Sequence, residues 1–203
     1  MCGNHDAMAA DARATFLETD QDLLIKKFNL ASDENYLYIS FLKRPYKIDR
    51  TSGLITCRDS ISGAPHEVMM AIYDMLCYSK DYPTLPAFGG VWQNLATLGG
   101  IVGAGHARRL HTPLVVKPFL GKVDALKAYC ESIGGEPQHG GDVSYILPVF
   151  DFFPVWFQFW DGDDEFPAQI QFLWDNRSQE FVHYETLFYM TSYMERYFAE
   201  IVE

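Results

Sequence analysis

The sequence is short of positive charge. Sixteen lysines and arginines stand against 27 aspartates and glutamates, which gives a formal net charge of −11 at pH 7. An acidic excess of this size repels the phosphates of nucleic acids and of anionic membrane surfaces. We therefore expect no nucleic-acid partner and no membrane partner.

Long apolar runs are also missing. No window offers the roughly 18 or more apolar residues that a membrane span needs. The first 22 residues, MCGNHDAMAADARATFLETDQD, lack the basic-then-apolar order of a signal peptide. Both absences predict a cytoplasmic protein.

The four cysteines do not form a motif. Cys2, Cys57, Cys77 and Cys130 are widely spaced and include no CxxC pair, so the sequence has neither an iron–sulfur ligand set nor a disulfide framework. HExxH, a nucleophile elbow, a P-loop and GxGxxG are absent as well. The sequence therefore leaves the cofactor unknown and does not decide whether the protein is an enzyme.

The sequence contains enough apolar residues to form a hydrophobic core. Hydrophobic residues make up 48% and aromatic residues 15% of the 203 positions, which excludes a disordered protein. This length predicts a single domain over residues 1–203, with residues 1–9 flexible.

Periodicity places the secondary structure. Helical spacing predicts a first helix in two pieces around Glu18–Asp22, a second starting at Pro65, a third ended by Gly134-Gly135 and a last one near the C-terminus. A shorter helix is expected over VWQNLATL (91–98). Alternation predicts strands at Tyr36–Leu42, Tyr46–Asp49, Leu54–Cys57, Val143–Phe150, Val155–Trp160 and Ala168–Trp174.

The strands come in runs and do not alternate regularly with helices, which counts against a doubly wound nucleotide fold. The predicted class is α+β. In chain order, an N-terminal helix and β-hairpin precede central helices and an antiparallel meander. A terminal helix then closes the meander by packing on one sheet face.

One face of the predicted meander is unusual. Trp156, Gln158 and Trp160 lie on it, opposite Gln169, Gln171 and Leu173 of the returning strand. Such a face is either a half-exposed sheet surface or the floor of a pocket that stacks and hydrogen-bonds a planar ligand.

The only concentrated basic spot follows four glycines in GGIVGAGHARRLH (99–111). This loop is either a surface connection or an anion-binding loop that covers the pocket. The residues predicted to contact a small-molecule ligand are Trp156, Gln158, Gln171, Arg108 and Arg109.

The acidic run Asp161-Gly162-Asp163-Asp164-Glu165 lies between two of the predicted strands. Asp and Gly favour tight turns, so a solvated hairpin tip explains the run without chemistry. The alternative is a weak site for a hard cation, with Asp163, Asp164 and Glu165 as metal ligands. Asp175 cannot join them, because nine strand residues at ~3.3 Å each place it roughly 30 Å from Glu165.

Several stretches together resemble an uncharacterised protein family. They are YKIDRTSGLI (46–55), ESIGGEP (131–137), GGDVSYILPVFDFFPVWFQFW (140–160) and DDEFPAQIQFLWD (163–175), with the late Glu185. The chain is similar along nearly its whole length to domain-of-unknown-function family 3786, whose members occur largely in anaerobic bacteria and archaea. Some members resemble fusions with iron–sulfur or corrinoid-protein-like modules, which implies a link to anaerobic redox or one-carbon metabolism.

Three functional hypotheses follow. The first is a small-molecule or cofactor-binding module with its pocket over the tryptophan and glutamine face. The second is an accessory protein that docks on a metabolic enzyme. The third is a cation-dependent hydrolase or transferase that uses the acidic loop.

Overall fold

The structure is a computed structural model and describes residues 2–58, 62–79, 87–98 and 116–202. The chain groups into two compact units. One consists of the residues up to Phe88 together with Arg177–Met190, and the other of Gly89–Asn176 and Thr191–Glu203. Both units combine helices with an antiparallel sheet, which confirms the predicted α+β class.

The first unit begins with helices and continues as a four-stranded sheet. The predicted break in the first helix is confirmed, and Asp20 caps its second piece by accepting the N–H groups of Asp22 and Leu23. The elements are α1 (Cys2–Glu18), α2 (Gln21–Phe28), β1 (Ala31–Ser32), β2 (Tyr36–Phe41), β3 (Arg44–Asp49), β4 (Ile55–Cys57) and α3 (His66–Tyr78).

The sheet of this unit has the order β1-β2-β3-β4. Burial alternates along β2, where Leu37, Ile39 and Phe41 are buried and their neighbours are half-buried. Phe16 of α1 packs against Tyr73 of α3 at a ring-centroid distance of 6.0 Å. The buried residues of β2 thus follow the alternation by which its strand was predicted.

Two turns of this sheet differ in whether their residue types favour a turn. The turn Arg50–Gly53 joins β3 to β4, and Gly53 has a φ of +72°, which glycine adopts readily. The hairpin between β2 and β3 turns instead at Leu42 and Lys43, whose φ angles are 50° and 59°. Neither residue type favours positive φ, so the position of this turn was not predicted, and Leu42 was assigned to the strand.

The second unit is built on a five-stranded antiparallel sheet of order β5-β9-β8-β7-β6. Its sheet and helices are β5 (Trp92–Gln93), α4 (Leu95–Leu98), α5 (Val123–Ser132), β6 (Glu136–Pro137), β7 (Val143–Phe150), β8 (Phe153–Trp160), β9 (Gln169–Asp175) and the part of α6 (Tyr184–Val202) that begins at Thr191.

The stretch VWQNLATL differs from its prediction as a helix. Trp92 and Gln93 pair with Asp175 and Trp174 as the strand β5, and α4 occupies only the last four residues. Asn94 marks the change, because its side chain accepts the N–H of Thr97 at 2.9 Å. An N-cap of this kind ends the extended backbone and starts a helix.

The predicted meander and its closing helix are confirmed within the second unit. β7, β8 and β9 pair in sequence, and Phe198 of α6 packs edge-on against Phe157 at 5.2 Å between ring centroids. Phe157 and Phe172 are both buried, so the face that α6 covers is the apolar core.

None of the helices in the described ranges is long and apolar enough to cross a membrane. Cys57, Cys77 and Cys130 are thiols and take part in no disulfide. Burial in the core raises the pKa of the Cys130 thiol to about 12, so this cysteine is not a nucleophile at neutral pH.

Candidate functional site

Trp156 lies on the sheet face opposite the core, as predicted from strand alternation. Its indole Nε1 donates to Ser144 Oγ at 3.0 Å, and Ser144 Oγ donates to the carbonyl of His139 at 3.3 Å. Its ring meets Trp92 edge-to-face at 6.0 Å between centroids. The polar end of Trp156 is therefore engaged by the protein itself, which leaves its ring as the group that could contact a ligand.

Gln158 lies between Ser144 and Gln171 in the sheet and is only 7% exposed. The loop at residues 138–142 covers it closely, because a Cβ at Gly140 would come within 3.1 Å of Gln158 Nε2. A Cβ at Gly141 would lie 2.7 Å from the carbonyl oxygen of Phe159. The two glycines allow the loop to lie directly on β8 and so shield this part of the face.

An open cavity lies beside β9. Its volume is about 1060 Å³, and all of its lining residues belong to the second unit. They combine carboxamides, one cation, one carboxylate and apolar groups: Asn94, Val116, Lys117, Leu120, Gly162, Asp163, Phe166, Pro167, Ala168, Gln169, Ile170 and Gln171.

Gln171 is the predicted ligand-contact residue that lines this cavity, whereas Trp156 and Gln158 do not line it. Asp163, one of the predicted cation ligands, also forms part of the wall. Arg108 and Arg109 lie outside the described residues. The contact of these residues with a ligand stays a prediction.

Part of the wall is formed by Lys117, in the short 3-10 turn Lys117–Phe119, and by Leu120, which follows that turn. Phe119 is fully buried against Phe159, with ring centroids 6.1 Å apart. Gly121, at a φ of +69°, donates its N–H to both carboxylate oxygens of Asp161, at 3.0 and 3.2 Å. These contacts hold Lys117 and Leu120 at the cavity.

The acidic loop is longer than predicted, because β9 begins at Gln169 and not at Ala168. Asp163 Oδ1 accepts the backbone N–H groups of Phe166 and Glu165 at 2.7 and 2.8 Å. These bonds hold the pKa of the Asp163 carboxyl below its usual range. The carboxylate thus shapes the turn, which is the role that Asp commonly has in such loops.

Metal binding gains no support from side-chain clustering. Within residues 2–58, 62–79, 87–98 and 116–202, no group of three or more His, Cys, Asp or Glu side chains is placed to hold a metal ion. Asp175 is fully buried and accepts the N–H of Gly90 at 2.7 Å. Its carboxylate therefore joins the strand end to the segment before β5.

Sequence reasoning missed most of the cavity. Lys117, Leu120, Phe166 and Asn94 come from three separate loops and carry no shared motif. One local signal was available at Asn94, since Asn-x-x-Thr is consistent with a helix N-cap. The convergence of the other side chains depends on long-range contacts that local patterns do not contain.

Comparison with known proteins gives one family. The family model described as "Domain of unknown function (DUF3786)" matches residues 21–197. Neither a curated protein nor a solved structure matches the chain. The matched residues include β9 and the cavity-lining residues, so the site lies inside the part that members of the family share.

Proposed function

The chain belongs to the domain-of-unknown-function family DUF3786, and we propose that it binds a small-molecule ligand in the cavity beside β9. The observation that carries this proposal is the cavity itself, with Gln171 in its wall. Ligand pockets typically have volumes of about 300 to 1,000 Å³ and combine apolar walls with a few polar groups. At about 1060 Å³ this cavity lies just above that range, and it has the same mixture of apolar and polar groups.

The polar groups favour a ligand with a hydrogen-bonding edge. Asn94, Gln169 and Gln171 are cavity-lining carboxamides, and each such group can donate and accept. Asn94 Oδ1 is engaged by Thr97, so the two glutamines are the stronger candidates for ligand contact. Lys117 adds a positive charge that would favour an anionic substituent.

The apolar groups favour a ligand with a flat or hydrophobic body. Phe166 is 66% exposed and Leu120 is 49% exposed, although both line the cavity. Large apolar side chains held at a concave surface lose contact with water when a ligand covers them. A planar heteroaromatic compound satisfies both the apolar walls and the carboxamides.

The experiment is native mass spectrometry of protein purified without oxygen, followed by titration with flavin, pterin and nicotinamide compounds. These compounds come first because the family resemblance implies redox or one-carbon metabolism. The readouts are a mass adduct that is lost on denaturation and quenching of tryptophan fluorescence.

Matched variants make the test specific. Gln171→Leu and Phe166→Ala should weaken binding at least tenfold if the ligand occupies this cavity. Gln138→Leu and Leu54→Ala change exposed residues that do not line it, and they should leave binding unchanged. Equal affinities for all four variants would place the ligand elsewhere and refute the assignment of this cavity.

A further inference from the structure

We propose that His183 is a nucleophile for uncharged acyl esters and that Asp74 is its positioning residue. Both residues belong to the first unit, whereas every residue that lines the cavity belongs to the second. The inference is therefore independent of the proposed function. It rests on the contacts that fix the imidazole, on the exposure of its ring and on the charge around it.

Asp74 holds the imidazole of His183 by two contacts. Its Oδ1 lies 2.7 Å from His183 Nδ1, and its Oδ2 accepts the backbone N–H of His183 at 2.7 Å. One carboxylate thus binds both the main chain and the ring of the same residue. The Asp74 side chain is 14% exposed and the His183 side chain 58% exposed, so the carboxylate is shielded while the ring reaches solvent.

Tyr78 packs against the same ring. The ring centroids of Tyr78 and His183 are 4.0 Å apart, with an interplanar angle of 50°. Tyr78 and Asp74 are four positions apart on α3, so they share one face of that helix. Phe181 and Val182 are fully buried and anchor the chain directly before His183. The imidazole is therefore held in one orientation by a helix face and by its own backbone.

The contact with Asp74 determines which nitrogen of a neutral His183 is nucleophilic. A carboxylate oxygen accepts hydrogen bonds and does not donate them, so Nδ1 carries the proton and Nε2 carries the lone pair. The carboxylate also stabilises positive charge that develops on the ring when Nε2 attacks. Because the two nitrogens point in diverging directions and the ring is 58% exposed, the lone pair is accessible from solvent.

The charge around His183 favours an uncharged electrophile. Asp74 contacts the ring, and Glu185 is exposed in the first turn of α6. These carboxylates, in a chain of net charge −11, would repel an anionic phosphoryl donor. An ester carbonyl carries no net charge. The ring of Tyr78, which is 42% exposed, offers an apolar surface for the ester beside the imidazole.

The proposed reaction is ester hydrolysis through an acylated imidazole. Nε2 attacks the carbonyl carbon with its lone pair, the bond to the ester oxygen breaks, and the alkoxide leaves and takes a proton from water. A water molecule then attacks the acyl group, the N–C bond breaks, and the carboxylic acid is released with Nε2 restored. The proton set free in this step neutralises the hydroxide formed in the first. Asp74 balances the positive charge of the acylated ring.

The experiment uses p-nitrophenyl acetate, an uncharged activated ester, with the full chain at pH 8. Release of p-nitrophenol is followed by absorbance, and the rate without protein is subtracted. His183→Gln removes the nucleophile, and Asp74→Asn replaces the carboxylate by a carboxamide of the same size. His139→Gln removes another exposed histidine and is the matched control. Urea unfolding of each variant checks that it is folded in the assay.

We expect His183→Gln to lose at least tenfold of the protein-dependent rate and His139→Gln to keep it, whereas Asp74→Asn should fall severalfold. Nitrogen NMR of protein with nitrogen-15-labelled histidine measures the role of Asp74 separately. Wild-type His183 should carry its proton on Nδ1 at pH 8. Asp74→Asn should shift part of the population to the Nε2–H form, because a carboxamide can also donate to Nδ1. If Asp74 served stability alone, the tautomer would not change.

Diethyl pyrocarbonate provides a test that needs no variant. This uncharged reagent acylates neutral imidazoles, and peptide mass spectrometry reports the extent at each histidine. His183 should be modified several times faster than His139, because only a nucleophile held by Asp74 has its lone pair fixed on the exposed side. Equal modification of the two histidines, unchanged ester hydrolysis in His183→Gln, or a proton on Nε2 in the wild type would each overturn the inference.

Discussion

The carboxylate of Asp161 accepts a hydrogen bond from the backbone N–H of Gly121. Its two oxygens lie 3.0 and 3.2 Å from the Gly121 nitrogen. The two residues are 40 positions apart, and their contact joins the loop after β8 to the segment that carries Lys117 and Leu120. Asp161, which the sequence placed in a solvated hairpin tip, thus holds one wall of the cavity in position.

Asp161→Ala should therefore affect both stability and binding. Loss of a charge-assisted hydrogen bond at a partly exposed site is expected to cost about 1 kcal/mol of unfolding free energy. Ligand affinity should fall as well, because the wall is no longer held. Asp164→Ala is the matched control; urea unfolding that shows equal losses for both variants would contradict this role of Asp161.

Asp163 should differ from its neighbour Asp164 in the same loop. Asp163 Oδ1 accepts two backbone N–H groups, so Asp163→Ala should lower the melting temperature. Asp163→Asn keeps an acceptor oxygen but not the charge, so it should restore only part of the loss. For Asp164, both substitutions should be neutral in the same thermal scans.

The pH dependence of this turn has a definite sign. The pKa of Asp163 is held below its ordinary value of 3.8 in the folded chain. Its contribution to stability is therefore present above pH 3.8 and is lost as the pH falls through the folded pKa. Thermal scans between pH 7 and pH 2 should show the gap between wild type and Asp163→Ala closing at the acidic end.

Glu195 should make the protein less stable as the pH rises. Its side chain lies on α6 with 8% exposure, its Oε1 is buried without a hydrogen-bond partner, and burial raises its pKa from 4.5 to about 8. The stability that comes from keeping this carboxyl neutral is complete below pH 4.5. It is lost between 4.5 and about 8, at about 1.4 kcal/mol per pH unit at most.

Glu195→Gln removes this titration. We expect the variant to resemble wild type near pH 4 and to be more stable than wild type at pH 8, as measured by chemical unfolding at both values. Glu200→Gln changes an exposed carboxylate of the same helix and should keep the wild-type slope. A wild-type slope in Glu195→Gln would show that another group causes the pH dependence.

Asp74 should stabilise the start of α6 in the first unit. Its carboxylate accepts the backbone N–H of His183 and contacts His183 Nδ1, both at 2.7 Å. Asp74→Ala removes both bonds and is expected to cost about 2 kcal/mol, whereas His183→Ala removes one and should cost less. Equal losses in urea unfolding would show that the backbone bond contributes nothing.

Much of the fold was predictable because it depends on local patterns. Alternation located β7, β8 and β9, and helical spacing located α5 and α6, because in both cases the period of burial is the period of the backbone. The turn at Leu42 and Lys43 could not be predicted from such patterns. Their positive φ angles are imposed by the pairing of β2 with β3, and the residue types give no sign of them.

The site was predictable only in part, for the same reason. Alternation correctly placed Gln158 and Gln171 on one face, since adjacent strands put them side by side. It could not show that Gly140 lies against Gln158, or that Gln171 faces a cavity. Both facts depend on segments that are distant in sequence.

The sequence by itself determined the α+β class, the main helices and strands, and the apolar face of β8 and β9. Only the tertiary structure decided which part of the polar face is covered and where β5 stops pairing with β9. The loop at Gly140 closes one region, and the N-cap at Asn94 ends β5 after two residues paired with β9. The physical reason is that the spacing of buried residues is set within a single helix or strand. A cavity, in contrast, is a space between several segments that are distant in sequence.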